Sequence, residues 1–151
     1  LDMGSHSADL FRFIVGPATT VGAVFSKKWK KRTETAATVL LVGSKKNGSN
    51  IPEGVAGSIM SGWAESSRFT LAMVGDAGTL FYDYEKPEEL VFKDLAGKVE
   101  SMPIESHGVR FAGQLVAFAD AVQKKAKTPL ATFEDGLAAA VLNDKAARFA
   151  R

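Results

Sequence analysis

Asp2 and His6 stand four residues apart, just ahead of the apolar run Leu10-Phe11-Arg12-Phe13-Ile14-Val15. Four residues of helix return to nearly the same face. If this segment is helical, Asp2, His6 and Asp9 form one polar stripe beside an apolar stripe of Met3, Leu10 and Ile14. A carboxylate beside an imidazole holds it in one tautomer and tunes its affinity for a proton. A site that oxidises an alcohol or abstracts a proton needs such a pair. The bland alternative is an aspartate cap at a helix start followed by a structural histidine. Asp9 is a second-line candidate for contact with a substrate. His107 is another, placed just before a second apolar helix.

Other chemistries lack their residues. The chain has no cysteine, so it has no disulfide frame, thiolate metal site or cysteine nucleophile. Two isolated histidines do not make a metal constellation, and no metal is expected. No G-x-G-x-x-G follows a strand, so no cofactor-binding residues are assigned. Glu85-Lys86-Pro87 reads as an exposed turn. The run Lys27-Lys28-Trp29-Lys30-Lys31-Arg32 could contact phosphates, with Trp29 stacking on a base. A solvated strand end, with lysines guarding a sheet edge, is the plainer reading. A nucleic-acid binder is thus a third-ranked function, and no nucleic-acid partner is expected.

The elements that must position these residues follow from local pattern. A helix is expected from about Ser5 to Val15, with Gly16 as its left-handed terminator and Pro17 as a stop. Strands are expected at Thr19 to Trp29, Ala36 to Val42, Gly54 to Ala64, Phe69 to Val74 and Thr79 to Tyr84. The continuous apolar run Ala36 to Val42 reads as a strand covered on both faces. Gly43 to Pro52 reads as a loop, and Gly75-Asp76-Ala77-Gly78 as a tight turn. Leu90 to Phe92 and Lys98 to Met102 are shorter strands joined around Ala96-Gly97. Val109 to Lys127 repeats apolar residues at helical spacing. Thr132 suits the N-cap of a last helix to about Phe149, with Glu134 and Asp135 in its first turn.

One helix, a long run of strands, then two helices argue an α+β fold with helices packed on one face of a largely antiparallel sheet. At 151 residues the chain suits a single domain with a sizeable core. Hydrophobic residues at 46% and charged residues at 24% are ordinary for a globular protein. A net charge of +2 implies no dedicated polyanion partner. No apolar run approaches the roughly 18 residues of a membrane span, so no membrane partner is expected.

Four segments together resemble one family. Asp2, Gly4, His6 and Asp9 match D-x-G-x-H-x-x-D, which looks like the catalytic-helix signature of the Gfo/Idh/MocA oxidoreductases. Asp76 to Asp83 is similar to that family's G-x-x-G-x-L-x-x-D strand region. Arg110 to Ala121 is similar to its penultimate helix, and Glu134-Asp135-Gly136-Leu137 to the start of its last helix. The matches keep the family's order.

The resemblance implies a C-terminal, substrate-side domain of the same α+β architecture, a large open, mostly antiparallel mixed sheet with helices packed on one face. The N-terminal Rossmann domain, which carries the glycine-rich fingerprint and the catalytic lysine, is expected outside this chain. His6 then corresponds to the family's general base or acid, and Asp2 to the residue that orients the substrate hydroxyl. The family's lysine lies in an E-K-P motif upstream of the Asp/His helix, so Glu85-Lys86-Pro87 is in the wrong place to supply it. The implied parent is a cytoplasmic NAD- or NADP-dependent dehydrogenase acting on a secondary alcohol of a sugar or polyol. This part alone should bind no cofactor and be inactive. It should form a homo-oligomer through the free face of its sheet. The alternative is a non-catalytic assembly or binding module of the same fold.

Overall fold

The N-terminal segment folds as helix α1, Asp2–Val15, in a computed structural model that describes residues 2–26, 28–29, 33–44, 51–62, 69–104, 111–123 and 130–149. Its end follows local rules. Gly16 has φ of 110°, which favours glycine, and its N–H donates to Arg12 O at 2.8 Å. Among the described residues nine strands and then two helices follow α1: β1 Ala18–Phe25, β2 Lys28–Trp29, β3 Thr33–Glu34, β4 Ala36–Gly43, β5 Ala56–Gly62, β6 Thr70–Val74, β7 Gly78–Asp83, β8 Glu89–Asp94, β9 Val99–Pro103, α2 Ala112–Val122 and α3 Phe133–Phe149. The fold is α+β, as the order of patterns requires, and every strand pairing among the described residues is antiparallel.

The chain divides into two compact units, Leu1–Glu65 with Ala131–Arg151, and Ser66–Leu130. In the first, β1, β4 and β5 form a three-stranded sheet in the order β1-β4-β5. The short ribbon β2-β3 stands between β1 and β4 in the chain. Its root is tied where Ser26 Oγ accepts from the Thr35 and Ala36 N–H groups at 3.0 and 2.8 Å. Helices α1 and α3 pack on the sheet and on each other, α1 beside β5 and α3 beside β1. Ala8, Leu41, Ile59, Ala139 and Leu142 form the core between these layers.

Two glycines let α1 sit close to the sheet. A Cβ on Gly57 would overlap the Phe11 ring, and one on Gly43 would overlap the Val15 side chain. The helix is therefore seated through Gly4, Ala8, Phe11 and Val15. Of the expected apolar stripe, Leu10 and Ile14 are half-buried, while Gly4, Ala8 and Val15 are buried and the side chain of Met3 lies outside the described residues.

Strand β4 is not covered on both faces. Leu41 is 1% exposed beneath the helices, while its neighbour Leu40 is 48% exposed on the other face. Helices from this unit cover one side only, so alternate side chains of the apolar run part company.

In the second unit, β6, β7, β8 and β9 form a meander in sequence order. The turn Gly75 to Gly78 closes with Gly75 N–H donating to Gly78 O at 2.8 Å. Gly78 has φ of 149°, and a Cβ there would run into Lys93 O on β8. One face carries Leu71, Met73, Leu80, Tyr82, Leu90, Phe92 and Met102, aligned across the strands by register. Helix α2 presents no buried residue, and Leu115, Val116, Phe118 and Val122 are exposed on it.

Candidate functional site

His6 lies in the second turn of α1, exposed, on the face turned away from Gly4, Ala8, Phe11 and Val15. It makes no hydrogen bond or ion pair with any described side chain, so the imidazole is not spent on packing. Asp2 opens the same helix, one turn before His6. The side chain of Asp2 lies outside the described residues. The backbone therefore meets the requirement of the pair, residues four apart on one helical face.

Asp9 is placed differently in chemical terms. Its carboxylate stands 3.8 Å from Arg12 Nη1, three residues on. Arg12 also reaches α3: Nη1 donates to Asp135 O at 3.1 Å, and Nη2 stands 3.5 Å from Asp135 Oδ1. Asp9 thus belongs to a clamp between α1 and α3, which is a structural duty. His107 lies outside the described residues. The basic run Lys27 to Arg32 is described only as the backbone of Lys28–Trp29 in β2.

A second tie joins the helices at the His6 end. Asn143 Nδ2 on α3 donates to Ser5 Oγ at 2.9 Å. Beside it, a cavity of about 30 Å³ is lined by Gly4, Ala8, Ser61, Leu142 and Asn143, with Ala36 and Gly62 at the strand ends. By volume it holds no more than a water or two. Neither Arg12 nor Asn143 was recognisable from local pattern, because each partner is more than a hundred residues away in the chain.

The tripeptide Glu85-Lys86-Pro87 forms an exposed turn after β7. Lys86 N–H donates to Asp83 O at 2.8 Å, and Glu85 N–H donates to Asp83 Oδ1 at 3.0 Å. Among the described residues no group of three or more histidines and acids is arranged to hold a metal ion, and no helix is long and apolar enough to cross a membrane. A dinucleotide cradle needs a glycine-rich turn between a parallel strand and a helix. The glycines with positive φ lie instead at Gly16, Gly54, Gly78 and Gly97, at a helix end and in connections of antiparallel strands.

The chain shares its fold with solved oxidoreductases of 16–22% identity, and Asp2 and His6 lie on its first helix. Among solved structures, KijD10, a 3-ketoreductase from Actinomadura kijaniata held in complex with TDP-benzene and NADP, superposes with a TM-score of 0.78 at 22% identity, over 100% of this chain and 46% of that one. An oxidoreductase from Sinorhizobium meliloti superposes at 0.74 with 16% identity, over 98% of this chain and 48% of that one. A putative NADPH-dependent oxidoreductase from Desulfitobacterium hafniense superposes at 0.70 with 16% identity, over 97% and 44%. The chain spans less than half the length of each. No family model matches the chain, and no curated protein matches it in sequence.

Proposed function

We propose that this chain is the substrate-binding and oligomerisation part of an NAD(P)-dependent oxidoreductase, acting on a secondary alcohol of a sugar or polyol. A preceding Rossmann domain would complete the enzyme, and the chain alone would be inactive. The observation that carries this reading is the exposed His6 imidazole on the outer face of α1, in a fold shared along the whole chain with oxidoreductases. A structural histidine would be packed or bonded; this one is free to meet a substrate.

In this reading His6 takes the proton of the substrate hydroxyl, and returns it in the reverse direction. Asp2 orients the hydroxyl and supports the imidazole as it gains charge. NAD or NADP, held by the rest of the parent protein, supplies the redox chemistry. Asp9 and His107 remain weaker candidates for substrate contact, Asp9 because Arg12 already engages it.

Assembly is the second part of the proposal. On the face of the first sheet away from the helices, Val24, Leu40 and Met60 are 74%, 48% and 77% exposed. Register brings them together, with Val24 opposite Thr38, and Thr38 opposite Met60. An apolar face of this kind marks an association surface, and it supports a homo-oligomer through the sheet. A non-catalytic assembly module of the same fold would share this face but would not need His6.

Steady-state turnover of the full-length parent against pH separates the two. His6→Ala should lower kcat by about 10² to 10⁴, the usual cost of losing a general base. Asp2→Asn should lower turnover and shift the pH profile. Lys86→Ala should leave both unchanged. A harmless His6→Ala overturns the catalytic reading. For the chain alone, calorimetric titration with NADH or NADPH should reveal no binding tighter than about millimolar, or about 4 kcal/mol; micromolar binding would contradict the proposed division of labour.

A further inference from the structure

The two halves of α1 are held by different means. Toward its C-terminus the helix is fixed by packing, with Phe11 on Gly57, Val15 on Gly43 and the Arg12 clamp to α3. Toward its N-terminus the described inward-facing residues are small. Gly4 and Ala8 face the small cavity instead. A Cβ added to Gly4 would still stand 3.7 Å from Ser61 Oγ and 3.8 Å from Asn143 Oδ1, so that turn is not in close contact with what lies beneath it. A void supplies no dispersion contacts, and so resists small shifts of the helix poorly.

The polar tie from Asn143 Nδ2 to Ser5 Oγ, 2.9 Å long and half-buried, crosses this loosely packed end. Ser5 directly precedes His6. We propose that Asn143 is a positioning residue for His6: through Ser5 its amide sets the rotation and tilt of the first turns of α1, and with them the direction in which the imidazole is presented. The role rests on the reading of His6 as the proton-transfer group. A hydrogen bond suits the task because it constrains angle as well as distance. Proton transfer in turn is steeply sensitive to placement, and a shift of about 1 Å can cost about 10²-fold in rate.

The test uses the full-length parent, with His6→Ala as the reference and Ser5→Ala, Asn143→Ala, the double variant and Asn143→Asp as probes. Asn143→Ala should lower kcat by about 10-fold or more with KM nearly unchanged, because orientation is lost and binding is not. Ser5→Ala should lower kcat at least as much, and should carry the test if Asn143→Ala does not fold. The double variant should be no worse than Ser5→Ala alone, since that variant already loses the bond to Asn143. Asn143→Asp should not regain the turnover, because a carboxylate cannot donate to Ser5 Oγ as the amide does. Wild-type kcat and pH profile in Asn143→Ala, beside a crippled His6→Ala, would overturn the positioning role and leave the reading of His6 intact. Additive losses in the double variant would overturn it too. A harmless His6→Ala would overturn both.

Discussion

Gly57 has no space for a side chain, because the Phe11 ring lies against its Cα. Gly57→Ala must therefore push α1 off the sheet or force Phe11 from its rotamer. Overpacking of this kind costs about 1–3 kcal/mol. Urea unfolding should report that loss, and Phe11→Leu in the same background should recover part of it by vacating the ring volume. Unchanged stability of Gly57→Ala would mean that the helix is not seated on this glycine. Gly4 sits at the opposite extreme. A methyl group there meets only ordinary contacts at 3.7 and 3.8 Å. Gly4→Ala should therefore stabilise the isolated chain by roughly 0.5–1 kcal/mol, the helix-propensity gain of alanine over glycine, in the same denaturant measurement.

At the scale of the element, α3 begins with a reciprocal cap. Asp135 N–H donates to Thr132 Oγ1 at 3.2 Å, while the Thr132 N–H and hydroxyl donate to Asp135 Oδ2 at 3.0 and 2.9 Å. The Thr132 backbone N–H, then its hydroxyl, hold the Asp135 carboxyl below the usual carboxylate range, and the Arg12 charge adds to this. A carboxyl lowered in the folded state stabilises the fold above its unfolded pKa. That contribution fades as pH falls through the lowered folded value. Thermal unfolding followed from neutral pH into the acid range should thus show a loss below about pH 4 that Asp135→Asn flattens. An acid limb identical in Asp135→Asn would remove Asp135 as its source. Thr132→Ala should cost about 1 kcal/mol at neutral pH through the lost cap.

At the scale of the whole molecule, three strongly exposed apolar residues share one face. Val24, Leu40 and Met60 occupy one side of the first sheet, while the helices cover the other. Self-association through this face predicts a dimer or larger species by sedimentation at high micromolar concentration. Met60→Lys, which changes a side chain 77% exposed in the chain, should shift the species toward monomer without loss of helical circular dichroism. A wild-type monomer under these conditions would count against assembly through the sheet. An association untouched by Met60→Lys would direct attention to the apolar side chains of α2.

The sequence by itself determined the features that act over a few residues. Gly16 and Pro17 end α1, Gly75 to Gly78 turns the chain between β6 and β7, and Thr132 caps α3, each by local dihedral or hydrogen-bonding preference. The segregated order of patterns was enough for an α+β fold, and the spacing of Asp2 and His6 for a pair on one helical face. Tertiary structure decided which face of α1 is buried. That choice depends on Gly43 and Gly57, glycines of distant strands that admit Val15 and Phe11. It decided that β4 is covered on one side only, since coverage is a property of neighbours. It also joined Arg12 to Asp135 and Ser5 to Asn143, across 123 and 138 residues of chain. Periodicity and propensity carry no information about such partners; they meet only when packing of α1 and α3 on the sheet has closed the intervening chain.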